Sequence, residues 1–284
     1  PVRNLLLQAV NLRRQPFQFE LELVAQLAAA GRLCGGGAHW DGRWGRGCGG
    51  RGCAGRGGAS AALPKGRLRV DVPSPLARLI LVPALPEFHA RYPGIQIDMG
   101  VSDRIVDMID ENVDCVVRGG ELIDQSLMAR RVGDLPLGVF AAPSYLARVG
   151  TPAHPQELED SNHRIVGFLW ARTGKPVPYT MRKQLESLQI KGRYALAVDD
   201  GNAYLAAGLA GLGVLWLPTY MSKAFEARGE LVPLFEDWDL DPMPLYVAFP
   251  PNRHISLKLR IFIDWVAELM ARHAPLTGRL GALD

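Results

Sequence analysis

The chain has 284 residues, 48% of them hydrophobic, with a formal charge of +3, which is enough for two domains with a substantial core. The charge is uneven: residues 1–66 carry nine Lys/Arg against three Asp/Glu, and the remainder carries 23 against 26. That acidic body is a poor nucleic-acid surface, no apolar run approaches the roughly 20 residues of a membrane span, and four cysteines do not staple a chain of this size.

The N-terminal part, residues 1–63, is atypical. Phe17 to Ala30 is one amphipathic stretch. Arg13, Arg14, Glu20 and Glu22 break the apolar run that a secretory signal needs, so a cytoplasmic location is expected. The start at Pro1 rather than Met leaves room for a preceding segment. Of the 28 residues from 31 to 58, thirteen are Gly and five are Arg. Such a tract loses much chain entropy on ordering and offers little to bury, so disorder is expected. Its composition is also what a shifted reading frame through GC-rich DNA can yield. Cys34, His39, Cys48 and Cys53 do not have the spacing of paired zinc ligands; no metal and no cofactor are expected.

Ordered sequence begins near Gly66. Leu68, Val70 and Val72 alternate as a strand. Ser74 stands as the expected N-cap of a helix with Pro75 at its first position, and Leu76, Leu79, Ile80, Leu85 and Phe88 form its apolar face up to Arg91. Tyr92-Pro93-Gly94 is a stop. Ile95, Ile97 and Met99 alternate as a second strand, Ser102-Asp103 reads as the cap of a helix to Asn112, and Cys115 to Val117 is a third strand ending at Arg118-Gly119-Gly120. The order strand, helix, strand, helix, strand implies a parallel sheet with right-handed crossovers.

Two further strands are expected at Leu127 to Val132 and Leu135 to Ala142, and a short helix at Pro143 to Leu146. Ile165 to Trp170 reads as a strand and Tyr179 to Tyr194 as a polar hairpin. Val198 to Pro218 (VDDGNAYLAAGLAGLGVLWLP) combines a strand end, a tight turn, a helix of small residues at about Ala203 to Ala210 and a buried strand. Asp199, Asp200 and Asn202 can each cap that helix. A helix near Thr219 to Arg228, a strand at Leu245 to Phe249 and an amphipathic helix from Ser256 to Arg272 complete the pattern.

Six segments stand in one order: GRLRVDVPSP, LPEFHARYPGIQIDM, SDRIVDMIDENVDCVVRGGEL, LMARRVGDLPLGVFAAPSYLARVGTPAHPQEL, the segment from Val198 to Pro218, and PNRHISLKLRIFIDWV. Together they make residues 64–273 resemble the effector-binding domain of a LysR-type transcriptional regulator. The resemblance implies an α/β fold of two Rossmann-like subdomains joined by two crossover strands, like a periplasmic binding protein. The first would comprise 64–142 and 245–273, the second 143–244, with a tail at 274–284. It further implies a small-molecule effector in the cleft, a small organic acid or an aromatic, and a homodimer or homotetramer. Leu79, Leu85 and the Ala206-Ala207 face are then candidates for pairing. Intact family members bind DNA through a winged helix-turn-helix followed by a long linker helix. Residues 1–58 show neither, so no specific DNA binding is expected of this chain.

The candidate effector residues are Ser74, Pro75, Ser102, Arg118, Phe168, Trp170, Asp200 and Asn202. Ser74 and Ser102 end strands at helix starts, where a hydroxyl and free N–H groups can hold a carboxylate, and the resemblance places hydroxyls at both positions toward the effector. Arg118 could fork to an anion, or pair with Glu121 or Asp124 at the rim. Phe168 and Trp170 could form an aromatic wall or pack in the core. Asp200 and Asn202 could cap the helix alone, or set the polarity of the cleft. No catalytic residue is proposed: there is no Gly-x-Ser-x-Gly elbow and no His-Glu-x-x-His motif. The alternatives are an enzyme or a solute-binding protein on a similar two-lobed scaffold.

Overall fold

The computed structural model describes residues 64–275, apart from 105, 121–125, 161, 171–172 and 252–254. The expectations for residues 1–63, and for Glu121 and Asp124 as partners of Arg118, lie outside the described residues.

Strand β1 (Gly66–Val72) buries Leu68, Val70 and Val72, the three residues whose alternation marks it. The helical segment that follows has three parts: α1 (Ser74–Leu76), a π-helical turn (Ala77–Leu81) and α2 (Val82–Arg91). The wide turn has a cause in sequence. Pro83 lacks an N–H and its ring crowds the carbonyl four residues back, so Val82 N–H reaches to the Ala77 carbonyl instead. Strand β2 (Ile95–Val101) lies parallel to β1 over its full length, and β3 (Cys115–Gly119) pairs on the other side.

The chain then crosses to the second lobe. Strand β4 (Met128–Leu135) belongs to the first sheet, whereas β5 (Leu137–Ala141) pairs with strands of the second lobe. The crossing is at Pro136, so residues 137–142 do not belong to the first subdomain as the sequence suggested. The second lobe contains α3 (Pro143–Val149), α4 (Glu157–Asp160), β6 (Ile165–Phe168), β7 (Tyr179–Lys183), β8 (Glu186–Ile190), β9 (Tyr194–Val198), α5 (Gly201–Leu209), β10 (Leu215–Pro218), α6 (Thr219–Ala227), β11 (Val232–Leu234) and β12 (Asp239–Leu240). The return passes from β12 into β13 (Met243–Phe249), which sits between β3 and β4, and ends in α7 (Leu257–His273). Met243 is registered with Leu135, so the two crossings run side by side.

Each lobe has its own core. In the first, α2 and α7 cover the sheet β2-β1-β3-β13-β4, and Phe88, Phe262 and Trp265 form one aromatic group with the Phe88 and Trp265 rings 4.9 Å apart. Ser256 caps α7 by accepting the Leu259 N–H, and the buried face of the helix includes Leu259, Phe262, Ile263, Val266, Leu269 and Met270. Ala274, placed by sequence in the tail, is still buried there, and its carbonyl accepts the Asp134 N–H at 3.2 Å. In the second lobe β10-β5-β11 is joined to β6-β9 through the Ile165–Val214 bridge. Tyr179, on the expected hairpin, stacks flat on Trp216 at 4.5 Å. The small residues of α5 allow close packing: a Cβ on Gly208 would lie 2.5 Å from Leu215. No helix among the described residues is long and apolar enough to cross a membrane.

Candidate functional site

The starts of α1 and α5 meet directly between the lobes. Gly201 is pressed against Pro75: a Cβ there would fall 2.5 Å from the proline ring and 3.4 Å from the Asp103 carboxylate. Asp103 accepts the Ser74 N–H at 3.1 Å and the Gly201 N–H at 2.6 Å, one from each lobe. Asn202 Nδ2 donates to Ser74 Oγ at 2.5 Å, and Arg104 Nε donates to Asp199 at 3.1 Å. These two contacts also run from lobe to lobe.

Ser74 is therefore not the N-cap. Pro73 holds that position with no side-chain bond, and the Ser74 hydroxyl serves the opposite lobe. The helix expected from Ser102 to Asn112 is not found among the described residues, where 108–112 form turns. Asp107 takes the N–H groups of Ile109 and Asp110, and Asn112 has φ 56°. Ser102 Oγ accepts the Arg104 N–H, and its carbonyl accepts from Arg118 at 3.2 Å. Arg118 pairs with the buried Asp71 and also reaches the Arg104 carbonyl. Asp71 lies 47 residues away in sequence, and the local partners Glu121 and Asp124 carried no hint of it.

Asp200 does cap α5, accepting the Ala203 N–H at 2.7 Å. Phe168 ends β6 beside Val198 and meets the Tyr204 ring edge-on at 5.4 Å. Trp170 is 42% exposed and its backbone ties a turn with Lys175; among the described residues no hydrogen bond joins it to the Asp103 group. The sequence reading missed Asp71, Arg104, Asp199 and Tyr220 as site residues. It treated Asp103 and Gly201 only as local cap and turn. Tyr220 is half-buried at the start of α6 and packs against the apolar cores of both lobes. Burial and the Asp103 carboxylate both push its hydroxyl upward, which keeps it protonated.

Residues 61–271 match the LysR substrate binding domain family, well over half of the chain. The chain belongs to the LysR family. It is 34% identical over 212 residues to the HTH-type transcriptional repressor PA14_22550 of Pseudomonas aeruginosa, covering 75% of this chain and 66% of that relative. To the regulator CrgA of Neisseria meningitidis serogroup B it is 29% identical over 214 residues, 72% of this chain and 68% of that one. The solved regulatory domain of CrgA, at 28% identity, superposes with a TM-score of 0.61 over 73% of this chain and 100% of that one. Full-length AphB, the virulence activator of Vibrio cholerae, gives 28% identity and a TM-score of 0.61 over 72% of this chain and 68% of that one. The chain spans just under two thirds of the repressor's length, and the two-lobed α/β architecture is that of LysR regulatory domains.

Burial raises the Asp103 carboxyl above its ordinary range; the Gly201 and Ser74 N–H bonds and Arg118 pull it down, and Asp200 pushes it further up. A carboxyl whose folded pKa exceeds its unfolded value stabilises the fold fully below the unfolded value, and that contribution is lost as pH rises through the folded one. The difference in Tm between wild type and Asp103→Asn will therefore fall as pH is raised from 3.8 through the window just above it. A pH titration of both melting curves checks this; a flat or rising difference refutes it.

Proposed function

We propose that this domain is the ligand-sensing module of a transcription regulator, with a small-molecule effector bound between the lobes. The meeting of the α1 and α5 starts between the lobes carries the reading. The Ser74 and Gly201 N–H groups, held here by Asp103, are the kind of helix-start donors that the carboxylate of a small organic acid could take over. Phe168, half-buried at the end of β6, suits an aromatic body. Ser74, Ser102, Arg118, Asp200 and Asn202 supply the polar wall, and Pro75 its apolar floor. Trp170 is retained as a rim residue of the same wall.

An effector favouring one lobe angle shifts the population by no more than its differential affinity for the two angles. In a paired regulator that change of angle is what DNA-binding heads would read. The site acts by binding, and no catalytic role is proposed for it. Homodimers or homotetramers in the cytoplasm are the proposed form, with DNA contacts made by a winged-helix part of an intact regulator and no specific DNA binding by this chain.

Thermal-shift screening with small aromatic and aliphatic acids tests the reading. A matching compound at a hundred times its Kd adds about 2.7 kcal/mol to stability and raises Tm by several degrees, with the compound recovered unchanged. Turnover of the compound, or stabilisation that survives Asn202→Leu and Ser74→Val together, refutes it.

A further inference from the structure

One side chain, Asp103, holds the start of α1 in one lobe and the start of α5 in the other. Its two carboxylate oxygens accept the Ser74 N–H from the first lobe and the Gly201 N–H from the second. Neither N–H has a partner within its own helix, because the first N–H groups of a helix are left over by the i to i−4 pattern. The carboxylate therefore satisfies one N–H of its own lobe and one of the opposite lobe, and the second, Gly201, would need another acceptor if the lobes parted. The loop that carries it is tied back by Arg118, which reaches the carbonyls of Ser102 and Arg104 on either side of it.

We propose that Asp103 is an intramolecular latch that holds the two lobes together when no small molecule is bound between them. The groups facing it come from every surrounding element: Arg118 from β3, Asp200 and Gly201 from the head of α5, Ser74 from α1, and Tyr220 from α6. Arg118 and the two N–H groups attract the carboxylate, Asp200 repels it, and burial penalises its charge. These opposed influences make the latch releasable, as a sensor requires. The role in sensing rests on the effector reading above. The latch itself does not, because its test uses no effector, so the two fail separately.

The test is amide hydrogen exchange by NMR on the full chain, with lobe orientation from residual dipolar couplings. In Asp103→Ala, exchange at Ser74 and Gly201 is expected to accelerate at least tenfold and the lobe orientation to broaden. The β1 and β10 core amides, which report on global opening, keep their rates. Sodium acetate at tens of millimolar is expected to slow the Gly201 amide again in the variant and to leave wild type unchanged, because acetate supplies the missing carboxylate. Asp103→Asn, which keeps the shape and one acceptor, should fall between wild type and alanine. Unchanged exchange in Asp103→Ala overturns the proposal, as does acceleration shared by the core amides, or an unchanged lobe orientation.

Discussion

Gly201→Ala will hold the two lobes apart and leave each of them folded. The methyl carbon would sit 2.5 Å from Cγ and 3.1 Å from Cδ of Pro75. Pro75 is buried at the start of α1, and its ring is fixed to the backbone, so it cannot rotate away as a flexible side chain would. Inserting volume into such a contact costs about 1–3 kcal/mol, which corresponds to roughly five- to 150-fold in the closed-to-open ratio. The cost falls only on the closed arrangement. Within its own helix alanine is a better former than glycine, and each lobe keeps its separate core. Residual dipolar couplings should therefore report a changed lobe orientation while urea midpoints stay close to wild type. The same orientation as wild type, or loss of the folded second lobe, would show that the contact does not govern closure.

What could be read from the sequence were the elements whose cause is local. Alternation at Leu68, Val70 and Val72 and at Ile95, Ile97 and Met99 marked β1 and β2 because one face of each meets the core. Ser256 and the apolar spacing after it marked α7. The site was legible only as a set of strand ends. Its bonds join residues far apart in the chain: Ser74 and Asn202 are separated by 128 positions, Asp103 and Gly201 by 98. No local pattern encodes such pairs. The segment 102–112 shows the consequence. Its Ser-Asp start and apolar spacing favour a helix, but Asp103 is engaged across the cleft and Asp107 closes a tight turn instead of a helical one. Arg118 followed the same logic, taking a buried aspartate from a neighbouring strand over acidic residues close by in sequence. The crossing at Pro136 was misplaced because β4 and β5 are two strands divided by one residue, and nothing in their composition says that they serve different sheets.

Replacing Arg118 by methionine is expected to be the most destabilising change in the first lobe's polar framework. Asp71 is 5% exposed and lies in the strand between β2 and β3. Its second carboxylate oxygen lies beside Gly100, where a Cβ would fall only 2.5 Å away, so the absence of a side chain at Gly100 is what makes room for it. Arg118 is its ion-pair partner and also donates to the carbonyls of Ser102, Arg104 and Val117. Methionine keeps much of the volume and removes every donor. It leaves a buried carboxylate uncompensated, a loss of about 3 kcal/mol or more, and it unties the loop that presents Asp103. The loss should therefore appear twice: as a lower urea midpoint, and as faster exchange of the Gly201 amide in the other lobe. The double variant Asp71→Asn with Arg118→Met separates these effects. Removing both charges relieves the buried carboxylate, so most of the stability should return. The carbonyls of Ser102 and Arg104 still lack their donor, so the Gly201 amide should remain fast. Arg118→Lys should lie between, because a single ammonium cannot fork to a carboxylate and several carbonyls together. If the double variant is as unstable as Arg118→Met alone, the guanidinium acts through packing, and the ion pair with Asp71 is not what holds the loop.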